Sequence, residues 1–182
     1  MSPFPVVETE RLTLRPYRPE DAERVLAIRS RLDVVRWLDN PPHHLMADLD
    51  EARAWIETAA LRELDDPSDV RRAIVPHTTG VVAGTVLVAP LREVEGGHRG
   101  EHELGWHLHP DSTGHGWATE AAGVLADQAF AAGHRELVIG MYPDNHPSAA
   151  VALRLGAEDL GVLPDPWYGG ESRQLRLRRE HR

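Results

Sequence analysis

Apolar and polar residues alternate along several short segments of this chain, and this period of two residues predicts β-strands with one buried face. The first such segment places Leu12 and Leu14 between polar neighbours. Alternating or short apolar segments predict strands over 11–15, 70–75, 81–88, 102–109, 136–141 and 173–177. The polar segment 77–80, which ends in Gly80, joins the second and third of these strands and predicts a hairpin.

Apolar residues at intervals of three and four predict helices between these strands. The predicted helices cover 19–30, 49–64, 118–132 and 147–156, with a short helical turn at 34–38. Gly133 and Gly156 suit helix ends. Residues 92–100 are charged and rich in glycine, which predicts an exposed loop. The order of elements predicts an α+β fold, with a mixed central β-sheet flanked by helices in a single domain that spans residues 1–182.

Composition narrows the chemistry that the chain can perform. All 20 basic residues are Arg, so Schiff-base catalysis and a phosphate-binding P-loop Lys are excluded. Cys is absent, which excludes disulfides, thiolate nucleophiles and Cys-ligated zinc. The 29 acidic residues bring the formal net charge to -9, which disfavours nucleic-acid and membrane partners. Without a signal-like N-terminus or an apolar stretch of about 20 residues, we expect a soluble, cytoplasmic protein.

Two glycines stand immediately before the predicted helix 118–132. In the segment Gly114-His115-Gly116-Trp117-Ala118, the glycines let backbone N–H groups approach an anion, and the helix adds its unpaired amides. Because the loop holds no Arg or Lys, a pyrophosphate bridge suits it better than a transferred phosphoryl group. A glycine turn that merely enters a helix has the same local sequence, so both interpretations stay open.

Four further segments have the order and spacing of a known family. They are HELGWHLHP at 102–110, GHGWATEA at 114–121, NHPS at 145–148 and the Leu155-Gly156 pair. Together they resemble the GNAT N-acetyltransferases of the RimJ/RimL type. The opening ETERLTLR at 8–15 also looks like the start of such proteins, so the resemblance covers nearly the whole chain. It implies the GNAT fold and an acetyl-CoA-dependent N-acetyltransferase.

The same resemblance implies an acetyl-CoA site without a metal. Backbone amides of the loop and the first helical turn would wrap the pyrophosphate, and they belong to Gly114, His115, Gly116, Trp117, Ala118 and Thr119. The pantetheine arm would pair with backbone around Leu108 and His109. Asn145 would bind the CoA arm, while Ser148 would lie near the sulfur and protonate the leaving thiolate. Ala150 stands where relatives often have a basic residue, which leaves the outer phosphate of CoA without an assigned partner.

Glu103 is the candidate general base. It shares one face of the predicted strand 102–109 with His107 and His109, and members of the resembled family often use a carboxylate in this strand, directly or through water. An amine must lose its proton before it attacks, so a side chain that accepts this proton helps most near neutral pH. Two alternatives stay open: Glu103 pairs with a sheet neighbour such as Arg15, or it forms a metal site with His107 and His109.

The absence of Cys also bears on the reaction path, because no cysteinyl thioester can form on this chain. We therefore expect direct transfer to a primary amine in a ternary complex. The acceptor is a protein or peptide N-terminus or a small-molecule amine, and the net charge favours a neutral or cationic one. An α-amine is favoured by its lower reference pKa. Candidate acceptor contacts are Trp37, Trp167, Tyr168 and the His43-His44 pair. A non-catalytic acyl-CoA-binding module is the alternative function, and a homodimer is an expectation for the assembly.

Overall fold

Eight strands form one sheet in the computed structural model of the chain, which describes residues 4–94 and 100–181. The strands are β1 (Val7–Glu8), β2 (Leu12–Arg15), β3 (Val70–Pro76), β4 (Gly84–Pro90), β5 (His102–Leu108), β6 (Glu136–Met141), β7 (Glu158–Pro164) and β8 (Glu171–Arg178). Their order across the sheet is β1-β2-β3-β4-β5-β6-β8-β7. Neighbouring strands are antiparallel except β5 and β6, which run parallel. The α+β class with a mixed sheet is confirmed.

Five α-helices flank this sheet in the described part of the chain: α1 (Ala22–Arg29), α2 (Leu32–Val35), α3 (Leu49–Asp65), α4 (Trp117–Ala131) and α5 (His146–Arg154). The central helix is α4, whose Ala121, Ala122 and Leu125 are fully buried in the main core against the strands. Its many small residues let the helix axis lie close to the sheet, which fixes the position of its N-terminus. Within the same described ranges, no helix combines the length and apolarity that crossing a membrane requires.

A buried ion pair holds α3 against the sheet. The side chain of Arg72 in β3 is only 2% exposed, and its two terminal nitrogens donate to the carboxylate of Glu63 at 2.6 and 2.7 Å. One of these nitrogens also donates to the carbonyl of Phe4 at 2.6 Å. A buried guanidinium is strongly unfavourable without a partner, so this pair fixes the position of α3.

The predicted elements are found at their expected places, and the differences lie at their ends and at the two sheet edges, where the edge strands β1 and β7 were not predicted. The second hairpin strand starts at Gly84, where its pairing with Ile74 begins, and the predicted first residue Val81 is 49% exposed. Strand β7 was not predicted, because as an edge strand it is largely exposed and shows no alternation of buried positions. Of the predicted loop 92–100, residues 95–99 lie outside the described part of the chain.

The parallel neighbours β5 and β6 create an opening in the sheet. They pair at Glu103 with Val138, and beyond this pair, residues of both strands line a cleft. Where a strand loses its neighbour, its backbone N–H and C=O groups need another partner. Where β5 and β6 separate, backbone N–H and C=O groups at the strand edge are therefore available to a ligand in the cleft.

Candidate active site

The cleft between β5 and β6 has a volume of about 1360 Å³. This exceeds the range of about 300–1,000 Å³ that is usual for a single small-ligand pocket, so two substrates have room in it. Its walls include residues of α1, α2, α3, β5, the glycine loop with the start of α4, the β6–α5 connection and the loop before β8. The fold therefore brings sequence-distant candidate residues to one cavity.

The glycine loop presents its backbone to the cleft. Gly114 and Gly116 have φ angles of +81° and +78°, in the left-handed region that favours glycine. Gly116 is the N-cap of α4, and the N–H of Glu120 donates to its carbonyl at 3.1 Å. The preceding N–H groups of residues 117–119 therefore have no partner within the helix. Both glycines and residues 117–119 line the cleft, an arrangement suited to binding a diphosphate.

Arg11, which directly precedes β2, makes hydrogen bonds to this loop and to the first turn of α4. Its Nε donates to Oε2 of Glu120 at 2.7 Å, and its Nη1 donates to the carbonyl of His115 at 3.0 Å. The hydroxyl of Thr9 donates to the other oxygen of Glu120 at 2.5 Å. The guanidinium also lines the cleft, beside Gly116. Sequence reasoning assigned no cation to the loop, because 104 residues separate Arg11 from His115.

Two of the predicted cofactor residues have side chains that do not line the cleft. The ring of His115 stacks on Trp117, with centroids 4.3 Å apart. The backbone N–H of His109 donates to the carbonyl of Ala83 at 2.8 Å, and its Nδ1 lies 2.8 Å from Oδ1 of Asp111. Neither histidine is part of the cleft wall. Any contact of His115 with a diphosphate is therefore limited to its backbone.

Leu108 faces the cleft with its backbone. Neighbouring residues of a strand direct their N–H and C=O groups to opposite edges. Because the N–H of His109 bonds to Ala83 on the β4 side, the backbone groups of Leu108 are directed to the β6 side, where the cleft lies. An extended chain that carries amides can add to such an edge in the manner of a strand.

Asn145 and Ser148 lie at the start of α5 and line the cleft from the β6 side. The buried Asn145 caps this helix, since its Oδ1 accepts the backbone N–H of Ser148 at 3.3 Å. The side-chain oxygen of Asn145 is thereby used within the protein, which leaves its NH₂ group for a ligand. The partly buried Ser148 contributes a hydroxyl to the same wall.

Glu103 lies where β5 and β6 separate, and it is hydrogen bonded to the loop before β8. Tyr168 donates its hydroxyl to Oε2 of Glu103 at 2.9 Å. Burial raises the pKa of Glu103, while the hydrogen bond from Tyr168 and the charge of Arg71 oppose this rise. Burial and the neighbouring Glu103 raise the pKa of Tyr168, so its hydroxyl stays protonated. The alternative partner Arg15 binds Asp21 instead, at 2.7 Å.

His107 belongs to a polar network beside the cleft. Its Nε2 lies 3.1 Å from the hydroxyl of Thr85, which lies 2.8 Å from the hydroxyl of Tyr17. Burial, and to a smaller extent the charge of Arg29, lower the pKa of His107 to about 3. The imidazole is therefore neutral near pH 7, and it can accept or donate a hydrogen bond in the cleft that it lines.

The alternative of a metal site finds no support in these contacts. Glu103 is engaged by Tyr168, His107 by Thr85 and His109 by Asp111. Across residues 4–94 and 100–181, no three side chains of His, Cys, Asp or Glu are grouped as metal ligands. Glu103 and His107 both line the cleft, whereas His109 follows the last residue of β5 and is not part of the cleft wall.

Comparison with known proteins gives the family. A sequence model of the acetyltransferase (GNAT) domain matches residues 11–158. The uncharacterized N-acetyltransferase YoaA of Bacillus subtilis is 30% identical over 169 residues, which cover 91% of this chain and 89% of YoaA.

Two solved structures share the fold. The microcin C7 self-immunity acetyltransferase MccE, solved in complex with acetyl-CoA and AMP, has a TM-score of 0.77 at 19% identity, over 97% of this chain and 98% of MccE. RimJ of Mycobacterium smegmatis, in complex with CoA-disulfide, has a TM-score of 0.76 at 19% identity, over 93% of this chain and 82% of RimJ. With the domain match over most of the chain, the chain belongs to the GNAT family and is an N-acetyltransferase.

Proposed function

We propose that this N-acetyltransferase transfers the acetyl group of acetyl-CoA directly to a primary amine while both substrates occupy the cleft. The amine is a protein N-terminus, as in acetyltransferases of the RimJ/RimL type, or belongs to a small molecule. The observation that carries the proposal is the opening of the glycine loop, at the N-terminus of α4, into the same cleft as Glu103. The volume of about 1360 Å³ supports a ternary complex, and the chain has no Cys that could carry the acetyl group.

Binding of the donor uses backbone groups along most of its length. The amides of residues 114–119 hold the pyrophosphate, with the guanidinium of Arg11 beside them. The backbone of Leu108 pairs with the pantetheine arm, and the side-chain NH₂ of Asn145 binds it from the opposite wall. Arg154 also lines the cleft, one helical turn after Ala150, and supplies the positive charge for the outer phosphate.

Transfer then requires one proton acceptor and one proton donor. Glu103 accepts a proton from the acceptor ammonium, directly or through water, and the free amine attacks the acetyl carbonyl. The C–S bond breaks as the C–N bond forms, and the thiolate leaves. Ser148 protonates this thiolate, and the second proton that the nitrogen loses on becoming an amide restores the hydroxyl of Ser148, so that CoA leaves as the thiol. Burial suits Glu103 to this role, because a raised pKa makes the carboxylate a stronger base.

Glu103→Gln tests the assignment of the base. The variant keeps the size of the side chain and an oxygen for Tyr168, so we expect unchanged CoA binding by calorimetry. We expect kcat to fall at least tenfold at pH 7, because the amide cannot accept a proton. In the wild type, kcat/KM falls as the pH falls through the raised pKa of Glu103, and the variant lacks this acidic limb. Turnover equal to the wild type at pH 7 would refute the assignment.

Tyr168→Phe is the companion variant. The hydrogen bond from Tyr168 favours the ionised form of Glu103, so its loss raises the pKa of Glu103 further. We expect the acidic limb of kcat/KM to move to higher pH, with activity retained on the alkaline side. An unmoved limb would show that the titrating group is not Glu103.

Calorimetry and thiol release together separate catalysis from binding. A catalytically silent acyl-CoA-binding module binds CoA but releases no thiol with any amine. An N-acetyltransferase releases one thiol for each acetyl group found on the acceptor by mass spectrometry. Failure to bind CoA would overturn the proposed cofactor site and the binding-module alternative alike.

A further inference from the structure

Arg29 places an unpaired cation at the cleft. It is the last residue of α1, it lines the cleft, and its Cζ lies 5.1 Å from the centroid of the Trp55 ring. Within the described residues, no carboxylate lies within 4 Å of its guanidinium. Burial lowers the pKa of Arg29, and the more distant charge of Asp39 partly offsets this effect. The guanidinium is therefore partly removed from water and has no ionic partner among residues 4–94 and 100–181.

The other charged groups at this part of the cleft do not provide that partner. Arg71 is paired with Asp69, and Arg62 lies 3.9 Å from the same carboxylate. Asp33 is paired with Arg31 at 3.1 Å. Asp39 lines the cleft, and its charge acts on Arg29 from beyond ion-pair distance. The cleft therefore presents a cation with unused hydrogen-bond donors next to an aromatic wall.

Partial burial of a guanidinium without a counter-ion is unfavourable, and a bound anion relieves it. Arginine also matches the planar, two-oxygen geometry of carboxylate and phosphate groups. We propose that the acceptor amine carries a carboxylate or phosphate group that binds Arg29 beside Trp55. This inference rests on the proposed function and names its substrate class. It differs from the expectation based on net charge, which favoured neutral or cationic acceptors.

The positions of the lining residues bear on the separation of the two groups on the acceptor. Arg29 lies beside Trp55 of α3, and its charge contributes to the lowered pKa of His107, whereas the proposed base Glu103 lies four residues from His107 on β5. Four residues of a strand span about 13 Å. An acceptor that reaches both sites has its anionic group several bonds from its amine, as in a short peptide or an ω-amino acid, rather than on the same carbon as in a free α-amino acid.

Matched acceptors test this inference, because they vary the anion at constant amine. One set consists of tripeptides with varied N-terminal residues in three forms. The first form has a free C-terminal carboxylate, the second has a neutral C-terminal amide, and the third is an amide with phosphoserine at the third position. The second set compares ω-aminohexanoate with ω-aminohexanamide. The carboxylate and phosphate arms distinguish the two sources of the anion. We expect kcat/KM to be about tenfold higher for the anionic members, mainly through KM.

Arg29→Gln is expected to abolish this preference, so that the ratio of kcat/KM between each anionic acceptor and its matched neutral acceptor falls to about one. Arg29→Lys keeps the charge and should retain part of the preference, which keeps the test informative if the Gln variant folds poorly. Arg53→Gln is the matched control, because Arg53 pairs with Asp50 at 2.9 Å on the exposed face of α3. This control should leave the preference unchanged.

Equal or better acetylation of the neutral members, or a preference that survives in Arg29→Gln, would overturn the inference. A panel in which no anionic amine is acetylated would overturn it as well. The proposed function fails by a different result, namely no CoA binding and no thiol release with any amine. Acetylation of neutral amines alone therefore refutes the substrate class and leaves the proposed function standing.

Discussion

Replacing Arg11 with Gln is expected to raise the dissociation constant of CoA about tenfold without unfolding the protein. The guanidinium connects Glu120, in the first turn of α4, to the carbonyl of His115 in the glycine loop. These contacts hold the loop in the conformation that directs its amides to the cleft. Their loss lets the loop leave that conformation, and binding must then restore it.

The contacts themselves set the magnitude of this effect. The ion pair is accessible to water, with side-chain exposures of 48% for Arg11 and 20% for Glu120, and such pairs contribute about 0.2–1 kcal/mol. The hydrogen bond to the carbonyl of His115 adds about 1 kcal/mol. A combined loss of about 1.4 kcal/mol corresponds to a tenfold change in an equilibrium constant.

Glu120→Gln separates the ion pair from the other contacts of Arg11. If Arg11 acts only through Glu120, the two variants weaken CoA binding equally. If its bond to His115 or its attraction of the diphosphate also contributes, Glu120→Gln weakens binding less, because the guanidinium and this bond remain. We expect the second result in titration calorimetry. Arg173→Gln, which breaks a comparable pair with Asp159 at the far edge of the sheet, is the control. A folded Arg11→Gln variant with a dissociation constant within twofold of the wild type would refute the reasoning.

Three further substitutions probe the loop, the buried pair and the neutral histidine. Gly116→Val should raise the dissociation constant of CoA, because valine is strained at a φ of +78° and obstructs the diphosphate. Gly133→Ala is the control: it introduces strain at a φ of +108° at the far end of α4, so it should lower stability but leave CoA affinity unchanged. Glu63→Ala should lower the free energy of unfolding in urea by about 3–5 kcal/mol, because it leaves the buried guanidinium of Arg72 without its carboxylate partner. A loss below about 1 kcal/mol would contradict this prediction. His107 has a pKa of about 3 in the folded protein, below its ordinary value of 6.5. Between pH 6.5 and pH 3 its imidazole is therefore protonated in the unfolded chain and neutral in the folded protein. The free energy of unfolding consequently falls as the pH falls from 6.5 towards 3. Relative to His107→Gln, the wild type should lose about 2 kcal/mol of unfolding free energy from about pH 6.5 to about pH 5, and parallel pH profiles would disprove a buried neutral ring.

The part of the site that lies in continuous sequence was predictable from the sequence. Strand β5 and helix α4 each show a clear period, and two glycines mark the turn between them. The helix was expected from 118 and begins at Trp117, because Gly116 in its left-handed conformation is the cap. These features depend on local backbone preferences, which the sequence carries at the positions concerned.

Contacts between distant segments could not be predicted in the same way. Tyr168 lies 65 residues from Glu103, and Arg11 lies 109 residues from Glu120. A hydrophobic period indicates which face of an element is buried, but it does not identify the side chain opposite each polar residue. Pairing of this kind follows from the order of strands in the sheet, which places the loop before β8 over β5 and the start of β2 beside α4.

Net charge is a poor guide to the acceptor because it sums groups that already neutralise one another. At the far side of the sheet, Arg178 is held between Glu136 and Glu158. Such surface charges act weakly inside the cleft, since salt screens exposed charges beyond about 8–10 Å. Arg29 acts at contact distance on any ligand beside Trp55, in surroundings that partly exclude water. An acceptor bound there experiences this local cation far more strongly than the formal charge of -9, so a chain that is acidic overall can still select an anionic substrate.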